Sequence, residues 1–139
     1  MPTAATSLNL GLTLDHHARM APGADAVVMG DRRITYAQLH ALSGKVANGL
    51  LELGLQPGDH VALSCPNVPY FPIVYYGILR AGCVVVPLNV LLKPREIAYH
   101  LQDSDAKAYF CFEGMAELPM GTWGREAFEA VPTCEHFVL

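Results

Sequence analysis

The residues of this chain that could do chemistry are few, and their spacing excludes more than it suggests. Four cysteines, Cys65, Cys83, Cys111 and Cys134, stand far apart with no C-x-x-C pair among them. A zinc site needs closely spaced thiolate or imidazole ligands, and free thiols are among the most buried side chains, so buried free cysteines are expected. His16 and His17 are adjacent rather than four apart, so on a helix their rings diverge and both read as surface residues. No metal site is expected.

Phosphate chemistry has no better support from local pattern. The stretch GMAELPMGTWG, residues 114–124, offers three glycines and one threonine but no lysine. A phosphate loop needs convergent backbone amides together with a cation, so an ordinary surface loop is the preferred reading. Two asparagines remain as candidates for ligand proximity. Asn67 follows Pro66 at the mouth of a helix, where an anion could sit, although a side-chain cap is preferred. Asn89 stands at the end of a strand, where ligands of open α/β sheets bind, and a turn held by its own side chain explains it equally well. No catalytic residue is assigned. Arg32 with Arg33, and Lys93 with Arg95, are pairs too small to make a basic surface and read as solvated faces.

These residues are carried by alternating strands and helices. Residues 8–20 have a weak helical pattern, and AVVMGDRRI, residues 26–34, reads as a hairpin turning at Gly30 and Asp31. The clearest helix is TYAQLHALSGKVANGLLELG, residues 35–54. Thr35 and Gln38 form a capping box, apolar residues recur at steps of three or four, and Gly54 closes it. HVALSC, residues 60–65, is a short strand. VPYFPIVYYGILRAG, residues 68–82, is a helix whose two prolines fall in its first turns. Residues 83–86 are expected as a strand buried on both faces, ended by Pro87, which cannot donate to a ladder. A helix at 93–105, a strand at 106–112, a short helix near 125–130 and a strand at 136–139 complete the order. Such alternation predicts an α/β fold, a mostly parallel sheet with flanking helices and right-handed crossovers.

Composition narrows the class further. The chain has 139 residues, a formal charge of −4, 52% hydrophobic and 16% charged residues. Its nine Lys and Arg are scattered and give no field for a phosphodiester backbone, so nucleic acid is excluded as a partner. There is no transmembrane segment of about 20 apolar residues, and the N-terminus lacks a basic start followed by an apolar core. A cytoplasmic protein is expected.

The order of motifs resembles the N-terminal part of the adenylate-forming acyl-CoA synthetases, the fatty-acid–CoA ligases of the AMP-binding superfamily. ITYAQLHALSGKVANGLLELGLQPGDHVALSCPN and GILRAGCVVVPLNVLLKPREIAYHLQDSDAKAYFC carry the likeness, over residues 34–111. TYAQL is similar to the first core motif of that family and LRAGCVVVPLN to its second. Relatives that load amino acids onto carrier proteins usually have an aspartate and a proline-rich turn after the second motif. Here Asn89 is followed by VLLKPREI, which is similar to the acyl-CoA synthetase form.

The resemblance implies a partial N-terminal domain of the adenylate-forming fold over residues 1–139. It comprises an N-terminal helix and hairpin (1–33), a β-α-β core (34–112), then a loop, short helix and final strand (113–139). It also implies a reaction for the complete enzyme. The carboxylate of a fatty acid or related acid attacks the α-phosphate of ATP with Mg²⁺ present, and the thiol of coenzyme A then displaces AMP. The motifs here are mainly scaffold in the family, so this chain alone is expected to bind no cofactor and to be inert. Tyr70, Phe71, Tyr75 and Tyr76 could line an acyl tunnel but read better as core, with Tyr70 and Tyr76 turned from the main apolar stripe. A self-associating α/β binding module derived from a ligase, dimerising through exposed apolar surface, is the alternative.

Overall fold

Thr35 starts the longest helix as its sequence predicts. The Gln38 backbone N–H donates to Thr35 Oγ1 at 3.2 Å, and the Thr35 N–H donates to Gln38 Oε1 at 2.9 Å. This capping box satisfies two amides that the helix itself leaves unpaired. The computed structural model describes residues 9–139; the first residue of the expected N-terminal helix, Leu8, lies outside them. The elements are α1 (Gly11–Met20), β1 (Asp25–Met29), β2 (Arg32–Thr35), α2 (Tyr36–Glu52), β3 (His60–Ser64) and α3 (Tyr70–Arg80). They continue with β4 (Val84–Pro87), α4 (Pro94–Asp103), β5 (Ala106–Cys111), α5 (Met120–Glu129) and β6 (His136–Val138).

β1 and β2 form the antiparallel hairpin, with Gly30 at φ +58° in its turn. The other four strands make a parallel sheet in the order β4-β3-β5-β6. Strand alternation sorts the core into two layers. Val61, Leu63 and Cys65 face one side with Leu50 of α2 and Ile78 of α3. Ala62, Tyr109 and Cys111 face the other with Leu101 of α4 and Ala127 of α5. Gly82, at φ +80°, takes the left-handed conformation after α3 and returns the chain into β4.

Two expectations are corrected. β4 is not buried on both faces, because it pairs with β3 alone at the sheet's edge, and Val84 keeps 43% of its surface exposed. The last helix is also longer than 125–130 and begins at Met120. Gly121 and Gly124, which read as loop glycines, are helical and buried. A Cβ on Gly124 would stand 2.8 Å from Cys111 Sγ, so the missing side chain lets α5 lie directly against β5.

Candidate functional site

Parallel sheets offer ligands the rim at the carboxyl ends of their strands, and the largest cleft of the described residues lies there. It measures about 380 Å³ and is lined by Leu63 and Cys65 at the end of β3, Tyr70 and Val74 of α3, Phe110 to Glu113 at the end of β5, and Val138 and Leu139 at the end of β6. Its walls are mainly hydrocarbon and aromatic. Glu113 is the one charged side chain in that lining.

The two thiols at the cleft are poor nucleophiles. Burial, and after it the neighbouring Cys111, pushes the Cys65 thiol up to about 11. Burial also raises Cys111, partly offset by its hydrogen bond with Tyr109. The Tyr109 hydroxyl, itself held far above the ordinary phenol range by burial, donates to Ser64 Oγ at 2.8 Å. Thiols that keep their protons at neutral pH neither attack carbonyl carbon nor bind metal well. All four cysteines are buried and free, as their spacing indicated. Among the described residues no group of His, Cys, Asp and Glu is placed to hold a metal ion.

Asn67 and Asn89 leave the same rim, from β3 and β4, but neither lines the cleft. Asn67 is exposed and does not cap α3; Pro69 holds the N-cap position and no side chain bonds to the free amides there. The proline-led first turn removes donors that a cap would otherwise serve. Asn89 uses its side chain locally, with Oδ1 accepting the Leu91 N–H at 2.9 Å. It borders a crevice shared with Ser64 and Tyr109 that has no room for a water molecule. Of the aromatic group on α3, Tyr70 is 57% exposed beside the cleft, and Tyr76 lines a shallow groove against α1 and the hairpin. Both turn from the core stripe as their spacing suggested. Phe71 and Tyr75 pack against the sheet.

The GMAELPMGTWG stretch is a tight turn running into α5. Gly114 has φ +89°, and a Cβ there would lie 2.2 Å from the Leu118 carbonyl oxygen. Gly121 abuts Leu139 and Glu113. Each glycine is explained by a close approach of protein to protein, and none by space for a phosphate. Glu113, which the sequence placed in a loop, is the residue that pattern missed; its place at the cleft follows from the register of β5 and β6.

Residues 14–136 match the family of AMP-binding enzymes. The long-chain-fatty-acid–CoA ligase FadD13 of Mycobacterium tuberculosis is 40% identical over 101 residues, covering 71% of this chain and 20% of its own length. The chain therefore spans about one fifth of that relative. A fatty acyl-CoA synthetase structure from M. tuberculosis superimposes with a TM-score of 0.75 at 30% identity, covering 94% of this chain and 26% of that one. The anthranilate CoA ligase AuaEII in complex with anthranoyl-AMP gives a TM-score of 0.83 at 26% identity, covering 95% and 25%. The strand order, the two sequence motifs and these likenesses agree, and the chain belongs to the AMP-binding, adenylate-forming enzyme family.

Proposed function

We propose that this chain is the N-terminal scaffold segment of an ATP-dependent acyl-CoA synthetase. The complete enzyme activates a fatty or related carboxylic acid as its adenylate and transfers the acyl group to coenzyme A. The observation that carries this reading is the cleft at the strand ends. Its lining suits an apolar surface and offers a carboxylate where pyrophosphate would need cations. The lining holds no Lys or Arg to balance the phosphates of ATP, which supports a chain that is inert by itself and shapes the sheet against which other parts of the enzyme complete the nucleotide site. Among the described residues no helix is long and apolar enough to cross a membrane.

Isothermal titration of the 139-residue chain with Mg-ATP, and with a stable acyl-adenylate analogue, tests the reading. No heat beyond dilution is expected. Micromolar binding of either would overturn it and direct attention to Asn67, Asn89 and Glu113.

The second reading, a self-associating module, draws on the open edge of β4, where Val84 is 43% exposed, and on Tyr70, 57% exposed at the cleft. Unprotected sheet edges and apolar patches favour association. Sedimentation over a hundredfold concentration range decides it: a dimer supports that reading, and a monomer throughout removes it.

A further inference from the structure

Away from the cleft, three helices meet at one imidazole. His40 of α2 presents Nε2 to two groups at once: Asp15 Oδ1 of α1 at 2.9 Å and Arg80 Nη2 of α3 at 2.9 Å. A carboxylate only accepts hydrogen bonds and a guanidinium only donates them. A ring nitrogen carrying a proton can serve Asp15 and cannot accept from Arg80. A bare ring nitrogen can accept from Arg80 and turns a lone pair towards Asp15. One nitrogen therefore cannot satisfy both neighbours in a single protonation state.

We propose that His40 is a pH-sensitive latch for α1, closed on Asp15 when the imidazole is protonated and released to Arg80 when Nε2 loses its proton. The two partners are held very unequally, which decides which of them moves. Arg80 also donates through Nη1 to the His40 carbonyl oxygen at 2.5 Å and to Ser43 Oγ at 2.8 Å, bonds that do not depend on the ring. α3 thus stays anchored in either state. Among the described residues Asp15 has no comparable reserve, its other polar contact being Arg80 Nε at 3.5 Å. Among the described residues, α1 is also tied by buried Leu14, by buried Gly11 against the Arg80 side chain, by His17 stacked on Tyr36, and just ahead of it by the Asn9 amide donating to the Leu79 carbonyl at 2.8 Å.

The charged groups facing His40 are Asp15 from α1 and Arg80 from α3, so the added proton is attracted by one and repelled by the other. His16 and His17 are imidazoles on α1 itself, so their contribution must be separated from that of His40.

The test is made on the 139-residue chain by two measurements across pH 5 to 8: ¹⁵N shifts of the His40 ring, and hydrogen-exchange protection of the α1 amides corrected for intrinsic rates. The expected result is a proton on both ring nitrogens in acid and on Nδ1 alone at the alkaline end. Over the same transition α1 protection falls about two- to fivefold, the scale of a partly exposed ion pair, and α3 protection holds. His40→Gln and Asp15→Asn, two independent variants, are each expected to flatten the α1 profile. The proposal is overturned by a neutral ring protonated at Nε2, by pH-independent α1 protection in the unmodified chain, or by a transition that persists in His40→Gln, which would assign it to His16 or His17.

Discussion

The two faces of the parallel sheet are closed in different ways. On the face of α2 and α3, the close approach is between the two helices. Gly77 is the contact point, with no room for a side chain: a Cβ there would fall 2.5 Å from Val46 Cβ. On the face of α4 and α5, the close approach is between helix and strand, Gly124 over Cys111 and Tyr109, and the helices are tied at the surface by Lys93 seated 3.6 Å from the centre of the Trp123 ring. Polar atoms differ too. The first face buries Ser43, whose hydroxyl accepts from the Arg80 guanidinium, while the second buries a neutral hydroxyl pair, Tyr109 donating to Ser64. A sheet can thus be sealed by helix against helix or by helix against strand, each with its own buried hydrogen bond.

If the faces contribute equally to stability, removing one buried leucine from each should cost the same. Leu50 and Leu101 are at 1% and 0% exposure. Leu50→Ala and Leu101→Ala are each expected to lose about 2 to 5 kcal/mol, from transfer and cavity together. Urea unfolding at unchanged slope measures both. A Leu101→Ala cost below about 1 kcal/mol would mean that the α4 and α5 face is loosely held.

The glycine seams come next. Gly77→Ala is expected to destabilise by about 1 to 3 kcal/mol, since the new methyl must displace Val46 and the Ser43 carbonyl, against a gain of about 1 kcal/mol in helix propensity. Val46→Gly in the same chain removes both clashing atoms, Cβ and Cγ1, and should relieve part of that clash, a coupling that a double-mutant cycle reads directly. Gly124→Ala should cost less, about 1 kcal/mol, because its nearest contact is a thiol sulfur rather than a branched carbon. Equal costs, or no rescue at Gly77, would remove the distinction between the seams.

Alkaline titration probes both faces at once, through Cys65 on one and Cys134 on the other. Burial holds each thiol at about 11, above its ordinary 9.0. Once pH passes 9, the unfolded thiols ionise while the folded ones keep their protons. The unfolded state then binds fewer protons, and stability falls as pH rises towards 11. Denaturation midpoints should be level below pH 9 in this respect and decline above it. Cys65→Ala and Cys134→Ala should each flatten part of that decline, and a midpoint that stays level to pH 11 would contradict the assigned burial.

This contrast also explains what the sequence disclosed. The α2 and α3 face was legible because Leu39, Val46, Leu50, Phe71, Val74 and Ile78 recur at helical steps, and a capping box and Gly54 mark where α2 starts and stops. The start of α5 was not legible, because Gly121 and Gly124 carry a loop signal locally and acquire their meaning only from β5 and Leu139. The exposure of Val84 was hidden likewise, since three valines in a row look the same on a central strand and on an edge. The parallel sheet and the strand-end position of Asn89 were legible, whereas the strand order, the cleft with Glu113, and the meeting of Asp15, His40 and Arg80 depend on elements far apart in the chain. No spacing rule links residues on three separate helices.

The smallest expected effects separate the two asparagines at the rim. Asn89 accepts the Leu91 amide and so replaces a hydrogen bond the turn would otherwise lack, whereas Asn67 is exposed ahead of a helix whose N-cap is Pro69. Asn89→Ala should therefore lose about 0.5 to 1.5 kcal/mol, the net value of one such bond. Asn67→Ala should stay within about 0.5 kcal/mol, as surface substitutions do. Thermal or urea unfolding of the two variants ranks them. If Asn67→Ala were the costlier change, its side chain would hold a structural contact at the sheet rim. If Asn89→Ala cost nothing, the turn would not need its side chain, and Asn89 would be the more attractive of the two as a group reserved for a ligand.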